Sequence, residues 1–299
     1  MNTKKKVLIA LGTFDGLHRG HKQVLLQDTG EYDKKIALMF SVHPRQVLFG
    51  EAPGELITAN KKAELLKAWG YTPELVNFED ISGYSPEDFC EKLLSEKYGA
   101  SALSCGFNYR FGKNARGDVD FLKAYAEKNH IALSVCPHID YEGEPISSTR
   151  IRECIRRGDM PSANKMLGRC FSYDFQVVHG DARGRTLDSP TINQFFPEEF
   201  VIPAYGVYAS RTLVDGREYA SVTNIGIRPT IANSEKRSET NIIGFEGDLY
   251  GKNIEVSLVK KIRDEMKFNS LEELKAQIGI DREKTIEILK GESTNDLCK

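Results

Sequence analysis

The aliphatic run Val7-Leu8-Ile9-Ala10-Leu11 passes directly into Gly12-Thr13-Phe14-Asp15-Gly16-Leu17-His18-Arg19-Gly20-His21 and then into a helical pattern beginning at His21. Apolar residues without alternation read as a buried strand, and the glycine-bearing stretch reads as a tight loop leading to a helix N-terminus. This unit commits the chain to a sheet covered by helices. The same junction favours anions: backbone N–H groups point outward, the helix dipole adds partial positive charge, and glycine lets a phosphate approach the backbone. His18 and His21, three residues apart, fall on one side of the first helical turn, so both rings can donate to one phosphoryl group. The competing reading is that the two histidines merely cap the helix and the glycines shape an ordinary turn.

Up to about residue 170, apolar runs alternate with amphipathic stretches. Strands are predicted over residues 7–11, 36–40, 75–78, 102–105 and 131–136, and helices over 21–28, 60–69, 86–98 with Ser85 as N-cap, and 119–128. Such βα repetition builds a mostly parallel, Rossmann-like α/β sheet, in which ligands bind beyond the carboxyl ends of the strands. After Cys170 the texture changes. Asp215-Gly216 and the stretch Gly247-Asp248-Leu249-Tyr250-Gly251 separate alternating β-rich segments, which predicts an antiparallel β-barrel. Ser270 and Glu273 offer a capping box to a C-terminal helical pattern that continues over 282–290. The expected domains are residues 1–170 and 171–299, with the boundary between 167 and 177.

Length and composition agree, since 299 residues with 40% hydrophobic content supply two cores. The net charge of −2, with basic residues spread along the chain, argues against a nucleic-acid partner and for small anions. The six cysteines form no CxxC pair, so they are read as reduced thiols rather than zinc ligands or a disulfide framework. The apolar run behind Lys4-Lys5-Lys6 is too short for a signal peptide, and no stretch suits a membrane span. The expectation is a cytoplasmic protein without a membrane partner; the oligomeric state stays open.

Two further segments of the first half carry phosphate chemistry. Gly106-Phe107-Asn108-Tyr109-Arg110-Phe111-Gly112 follows the apolar strand 102–105 and sets Asn108 and Arg110 at the same sheet edge as His18. Ile146-Ser147-Ser148-Thr149-Arg150-Ile151-Arg152 opens another helix, where the hydroxyls of Ser147, Ser148 and Thr149 and the fork of Arg152 can grip β- and γ-phosphates. Alone, these segments also read as an aromatic turn and a serine cap. Convergence at strand ends makes a nucleotide site the stronger reading.

The pattern GxFDGxHxGH resembles the nucleotidyltransferase superfamily. With GFNYRFG and ISSTRIR following in order, the first half resembles the adenylyltransferase module of the prokaryotic bifunctional riboflavin kinase/FAD synthetase family. That resemblance implies transfer of AMP from ATP to FMN with release of pyrophosphate and no covalent enzyme intermediate. It implies that Gly12, Thr13, Phe14, Asp15, Gly16, Asn108, Arg110, Ser147, Ser148 and Thr149 bind the nucleotide, with His18, His21 and Arg152 on the reacting phosphates. Asn108 departs from an aspartate frequent in the family, and its amide still hydrogen-bonds.

In the second half, Val177-Val178-His179-Gly180-Asp181-Ala182-Arg183-Gly184-Arg185 leads to Pro190-Thr191-Ile192-Asn193. Gly180, Arg183, Gly184 and Arg185 can face phosphates, and Thr191 and Asn193 offer hard oxygens to Mg2+; a glycine-rich hairpin with surface arginines is the plainer alternative. These segments, with Pro203-Ala204-Tyr205-Gly206-Val207-Tyr208-Ala209, Gly226-Ile227-Arg228-Pro229-Thr230, Ser238-Glu239-Thr240 and Asp248-Leu249-Tyr250-Gly251, resemble the family's riboflavin kinase module. By that resemblance Glu239 is the general base that activates the riboflavin hydroxyl against the γ-phosphate of ATP. Departures are Asp188-Ser189 for a Gly-aromatic pair, Asn241 for a frequent histidine, and Phe175 for a glycine. A carboxylate in place of that glycine repels a phosphate by about 4 kcal/mol at ~4 Å and an effective dielectric of about 20.

The main reading is therefore a bifunctional enzyme using ATP and Mg2+ to make FMN and then FAD. Alternatives are FAD synthesis alone with an impaired or flavin-holding kinase half, a nucleotidyltransferase with another acceptor, and a flavin-binding regulator or RNA-binding protein.

Overall fold

The computed structural model describes residues 5–179, 191–229 and 234–291. Packing divides the chain into two compact units, Met1–Pro53 with Lys62–Ile146, and Gly54–Lys61 with Ser147–Lys299.

In the first unit, five parallel strands, β1 (Val7–Leu11), β2 (Lys34–Phe40), β3 (Thr72–Val76), β4 (Ala102–Gly106) and β5 (Ala132–Cys136), lie in the order β3-β2-β1-β4-β5. β1 is buried at every position, as its uninterrupted apolarity requires of a central strand. The helices are α1 (Arg19–Leu26), which packs on β4 and β5, the short α2 (Pro44–Phe49), α4 (Phe78–Ile81) and α5 (Pro86–Asp88), and α6 (Val119–Lys128), which packs on β5; α3 (Ala59–Ala68) spans the division between the units. The predicted strand at 75–78 instead ends at Val76, because the Asn77 side chain accepts from Glu79 N and starts α4 there. Ser85 caps as expected, its Oγ accepting from Asp88 N at 3.1 Å, but the predicted helix 86–98 passes from α5 into a π-helical stretch, Phe89–Lys97. Ile9, Leu11, Leu94, Leu103, Cys105 and Leu122 meet in the core on one side of the sheet. A small hairpin, β6 (Asp140–Tyr141) and β7 (Glu144–Pro145), closes the unit.

The second unit opens with α7 (Ser148–Arg157) and α8 (Met160–Leu167) and continues into the strands β8 (Phe171–Tyr173), β9 (Thr191–Phe195), β10 (Gly206–Val214), β11 (Arg217–Pro229), β12 (Ser234–Ile242) and β13 (Glu255–Arg263). They form an antiparallel sheet in the order β8-β13-β10-β11-β12-β9. Beyond β8, Gln176 bridges to Asn253 and Val178 to Asn193, so this segment ties the β13 side of the curled sheet to β9. Hydroxyls fill much of the concave interior: Thr212, Ser221, Ser210, Thr223 and Thr240 form a chain of bonds of 2.8–2.9 Å, and all five are fully buried. Each partner satisfies the next, which removes the desolvation cost of burying them.

A bulge in the β10–β13 ladder, between Ala209 and Ser210, leaves Val259 outside the pairing. Asn164 of α8, fully buried, donates Nδ2 to Val259 O at 3.4 Å and to Leu258 O at 2.9 Å, while its Oδ1 accepts from Phe171 N at 2.7 Å. One amide thus fastens α8 to two strands. α9 (Leu271–Gly291) is one continuous helix at which half of the predicted box forms, Glu273 N donating to Ser270 Oγ at 3.2 Å, while Glu273 Oε2 accepts at 2.9 Å from the N–H of Asn269, one residue before the cap. Arg263 grips Asp281 through Nε and Nη2, and Arg282 Nε donates to Asn241 Oδ1 at 3.0 Å, so α9 is pinned to β13 and β12.

Candidate active sites

In the first unit the chain leaves β1 for β2 on one side and returns through β4 on the other, so the crevice between the carboxyl ends of β1 and β4 is the topological switch point. Two loops border it, residues 12–18 after β1 and residues 107–111 after β4. Within the first loop Phe14, Gly16 and Leu17 all take positive φ, at 48°, 77° and 43°. The left-handed backbone at Phe14 and Leu17 costs about 1–3 kcal/mol each. Complete burial of both side chains, 0% and 1% exposed, offsets it and fixes the loop.

His18 is the N-cap of α1, its Nδ1 accepting from His21 N at 3.3 Å. With Nδ1 as acceptor, a neutral ring carries its proton on Nε2. The ring of His21 stacks on it with centroids 3.7 Å apart and planes 18° from parallel. Capping and pairing are thus the same arrangement, since it is the cap that brings the rings together. Gly20 permits it, because a Cβ there would stand 3.1 Å from His18 Cε1. Phe14, read from sequence as a nucleotide contact, has its side chain in the core and edge-on to His21 at 5.5 Å, so it supports the imidazole from behind. Thr13 is exposed and Asp15 half-buried on the loop, while Gly12 lies against the Phe14 ring.

Across the crevice Asn108 and Arg110 are exposed, and Arg110 Nη1 pairs with Asp118 Oδ2 at 3.3 Å. The carboxyl ends of the flanking strands add two imidazoles that sequence reasoning passed over: His43 after β2, which caps α2, and His138 after β5, edge-on to Phe107 at 5.4 Å. Their signal was available, as each closely follows a predicted strand. Burial pushes the Cys105 thiol up to about 11 and Cys136 up to about 12, so neither strand end presents a thiolate at neutral pH.

Ser147, Ser148, Thr149 and Arg152 belong to the second compact unit. Ser147 caps α7, its Oγ accepting from Arg150 N at 3.3 Å. Arg152 is 5% exposed and donates Nε to Gly54 O at 2.6 Å, which commits one of its five N–H groups to the backbone.

The second site lies on the β9–β12 ladder. Asn193 is registered opposite Glu239 and Thr191 opposite Asn241, so these four side chains project from one face. Asn224 of β11, opposite Glu239 on its other side, shares that face. Arg237 precedes Glu239 by two positions and forms an ion pair with it. Sequence reading missed Arg237, although the strand period of two places it beside Glu239. At Gly226 a side chain would meet only the movable carboxylate end of Glu265. Phe175 fits without a glycine's space, packing at 5.1–5.6 Å on Tyr173, Phe196 and Phe200. Gly180, Arg183, Gly184, Arg185, Asp188 and Ser189 lie outside the described residues.

A doubly wound sheet with a phosphate-ready loop at its switch point, joined to a curled antiparallel sheet presenting a carboxylate opposite an amide, defines a two-module nucleotide-dependent transferase. The FAD synthetase family model matches residues 1–150 and the riboflavin kinase family model residues 167–289. The bifunctional riboflavin kinase/FMN adenylyltransferase of Escherichia coli K12 is 34% identical over 283 residues, covering 92% of this chain and 90% of its own. The protein of the same description from Bacillus subtilis 168 is 32% identical over 294 residues, 94% and 92% of the two chains. A crystal structure named as a macrolide-efflux protein from Streptococcus pneumoniae superposes with a TM-score of 0.84 at 29% identity over 95% of each chain. Among the described residues no helix is long and apolar enough to cross a membrane. The chain belongs to the bifunctional riboflavin kinase/FMN adenylyltransferase family.

Proposed function

We propose that this chain phosphorylates riboflavin to FMN with one ATP and adenylylates FMN to FAD with a second. The two matched family models favour this over FAD synthesis alone. The observation that carries the reading is the opposition of Glu239 and Asn193 in a second unit that follows the stacked His18–His21 pair. We place the functional division near residue 170 and the protein in the cytoplasm.

In the first reaction Glu239 takes the proton of the ribityl hydroxyl as its oxygen attacks the γ-phosphorus, and ADP leaves. In the second an FMN phosphate oxygen attacks the α-phosphorus, the bond to the bridging oxygen breaks, and pyrophosphate leaves. His18 and His21 donate to the phosphoryl oxygens, while Gly12, Thr13, Asp15 and Gly16 of the loop, with Asn108 and Arg110, orient the nucleotide. Ser147 to Thr149 and Arg152 receive the pyrophosphate. Nucleotidyl transfer needs position and charge rather than a protein nucleophile, which suits an edge without a thiolate. Thr191 and Asn193 are neutral oxygen donors on one face, the chemistry that Mg2+ accepts when a triphosphate brings the negative charge; these two would hold it, and it neutralises phosphate charge when bound.

The test is incubation of the full chain with riboflavin, ATP and Mg2+, followed by chromatographic separation of flavins over time. FMN appearing first and FAD after it is expected. FAD formed only from supplied FMN would reduce the function to synthetase alone, and flavin binding without pyrophosphate release would overturn it.

A further inference from the structure

We propose that Arg237 is a positioning residue for Glu239 in riboflavin phosphorylation, holding the carboxylate where it meets the substrate hydroxyl. The inference rests on the reading of Glu239 as base.

Arg237 and Glu239 alternate with the inward-facing, fully buried Ser238, so both project from the same face of β12. Their side chains are joined as an ion pair in which the guanidinium is 15% and the carboxylate 34% exposed. An ion pair of this exposure gives little stability, because the attraction is screened and two long side chains must be ordered. Ordering is instead what a base requires: a glutamate on a strand has three rotatable bonds, and proton transfer needs its oxygen within hydrogen-bond reach of one hydroxyl. On the opposite strand Asn193 faces the base, and Phe195 faces the arginine. Two positions beyond the base, Asn241 is gripped by Arg282 of α9. The base is therefore bracketed along its own strand, with Arg237 the member that touches it.

The test is a double-mutant cycle in the full chain, with FMN adenylylation of supplied FMN as the control. Arg237→Met is expected to lower kcat for riboflavin phosphorylation at least ten-fold while KM for riboflavin and ATP stays within two-fold. Arg237→Lys is expected to recover most of the loss, and Arg237→Met in the Glu239→Gln background to add nothing to the residual rate. An unchanged kcat, a rise in KM for ATP at constant kcat, or additive losses in the cycle each overturn the inference. Should Arg237→Met also lose FMN adenylylation, Arg237→Gln decides by the same criteria. If Glu239→Gln alone retains kinase turnover, the base assignment fails; if it loses turnover while Arg237→Met keeps it, only the role of Arg237 fails.

Discussion

Asn193 and Glu239 face each other across the β9–β12 ladder, the amide 7% exposed and the carboxylate two positions from Asn241. Cross-strand partners have Cβ atoms about 4.5–5.5 Å apart, so a backbone ladder, and not a loop, sets the distance between the proposed metal-holding amide and the proposed base. Glu239→Gln preserves shape and removes the base. Riboflavin phosphorylation should fall roughly 10²–10⁴-fold, with FMN adenylylation unchanged, as read by flavin chromatography. Asn193→Ala should raise the Mg2+ concentration needed for half-maximal kinase rate.

The first site depends on a cap. Since a Cβ on Gly20 would stand only 3.1 Å from His18 Cε1, tighter than ordinary contact, Gly20→Ala should tilt that ring off His21. FMN adenylylation should drop about ten-fold, a loss of roughly 1.4 kcal/mol of transition-state stabilisation. Replacing both histidines by alanine should abolish it, and riboflavin phosphorylation should be spared in both variants.

Asn164 is a fully buried amide that serves three backbone groups of the second unit. Asn164→Ala strands the Phe171 N–H and the bulge carbonyl of Val259 in the core. A destabilisation of about 2–4 kcal/mol is expected, seen as a lower denaturant midpoint for loss of kinase activity.

Burial pushes the thiols of Cys90 and Cys136 up to about 12 and Cys105 up to about 11. An unfolded chain releases these protons from about pH 8.5, whereas the folded one retains them, so stability should fall as pH rises from about 8.5 to 11. Below that window these groups give no slope. Denaturant midpoints measured across it, and resistance of the three cysteines to a thiol reagent at pH 8, check the expectation.

Asp188 invites a test based on charge alone. Asp188→Gly removes a carboxylate from a segment read as facing triphosphate, and KM for ATP in riboflavin phosphorylation should fall several-fold.

The sequence by itself determined the two architectures and their order. Unbroken apolarity at Val7 to Leu11 requires burial on both faces, and glycines before a helix require a tight, anion-facing turn; both are local consequences of side-chain size and period. It also offered His18, His21, Thr191 and Asn193 as candidates by residue type and spacing, and Glu239 by resemblance to a family motif, because such motifs survive as linear text. Tertiary structure alone decided which groups meet. That Phe14 buttresses His21 from the core, that Asn164 satisfies a bulge about a hundred residues away, and that Asn193 opposes Glu239 all follow from strand register and long-range packing. Register is a relation between segments distant in the chain, and no single segment encodes its partner.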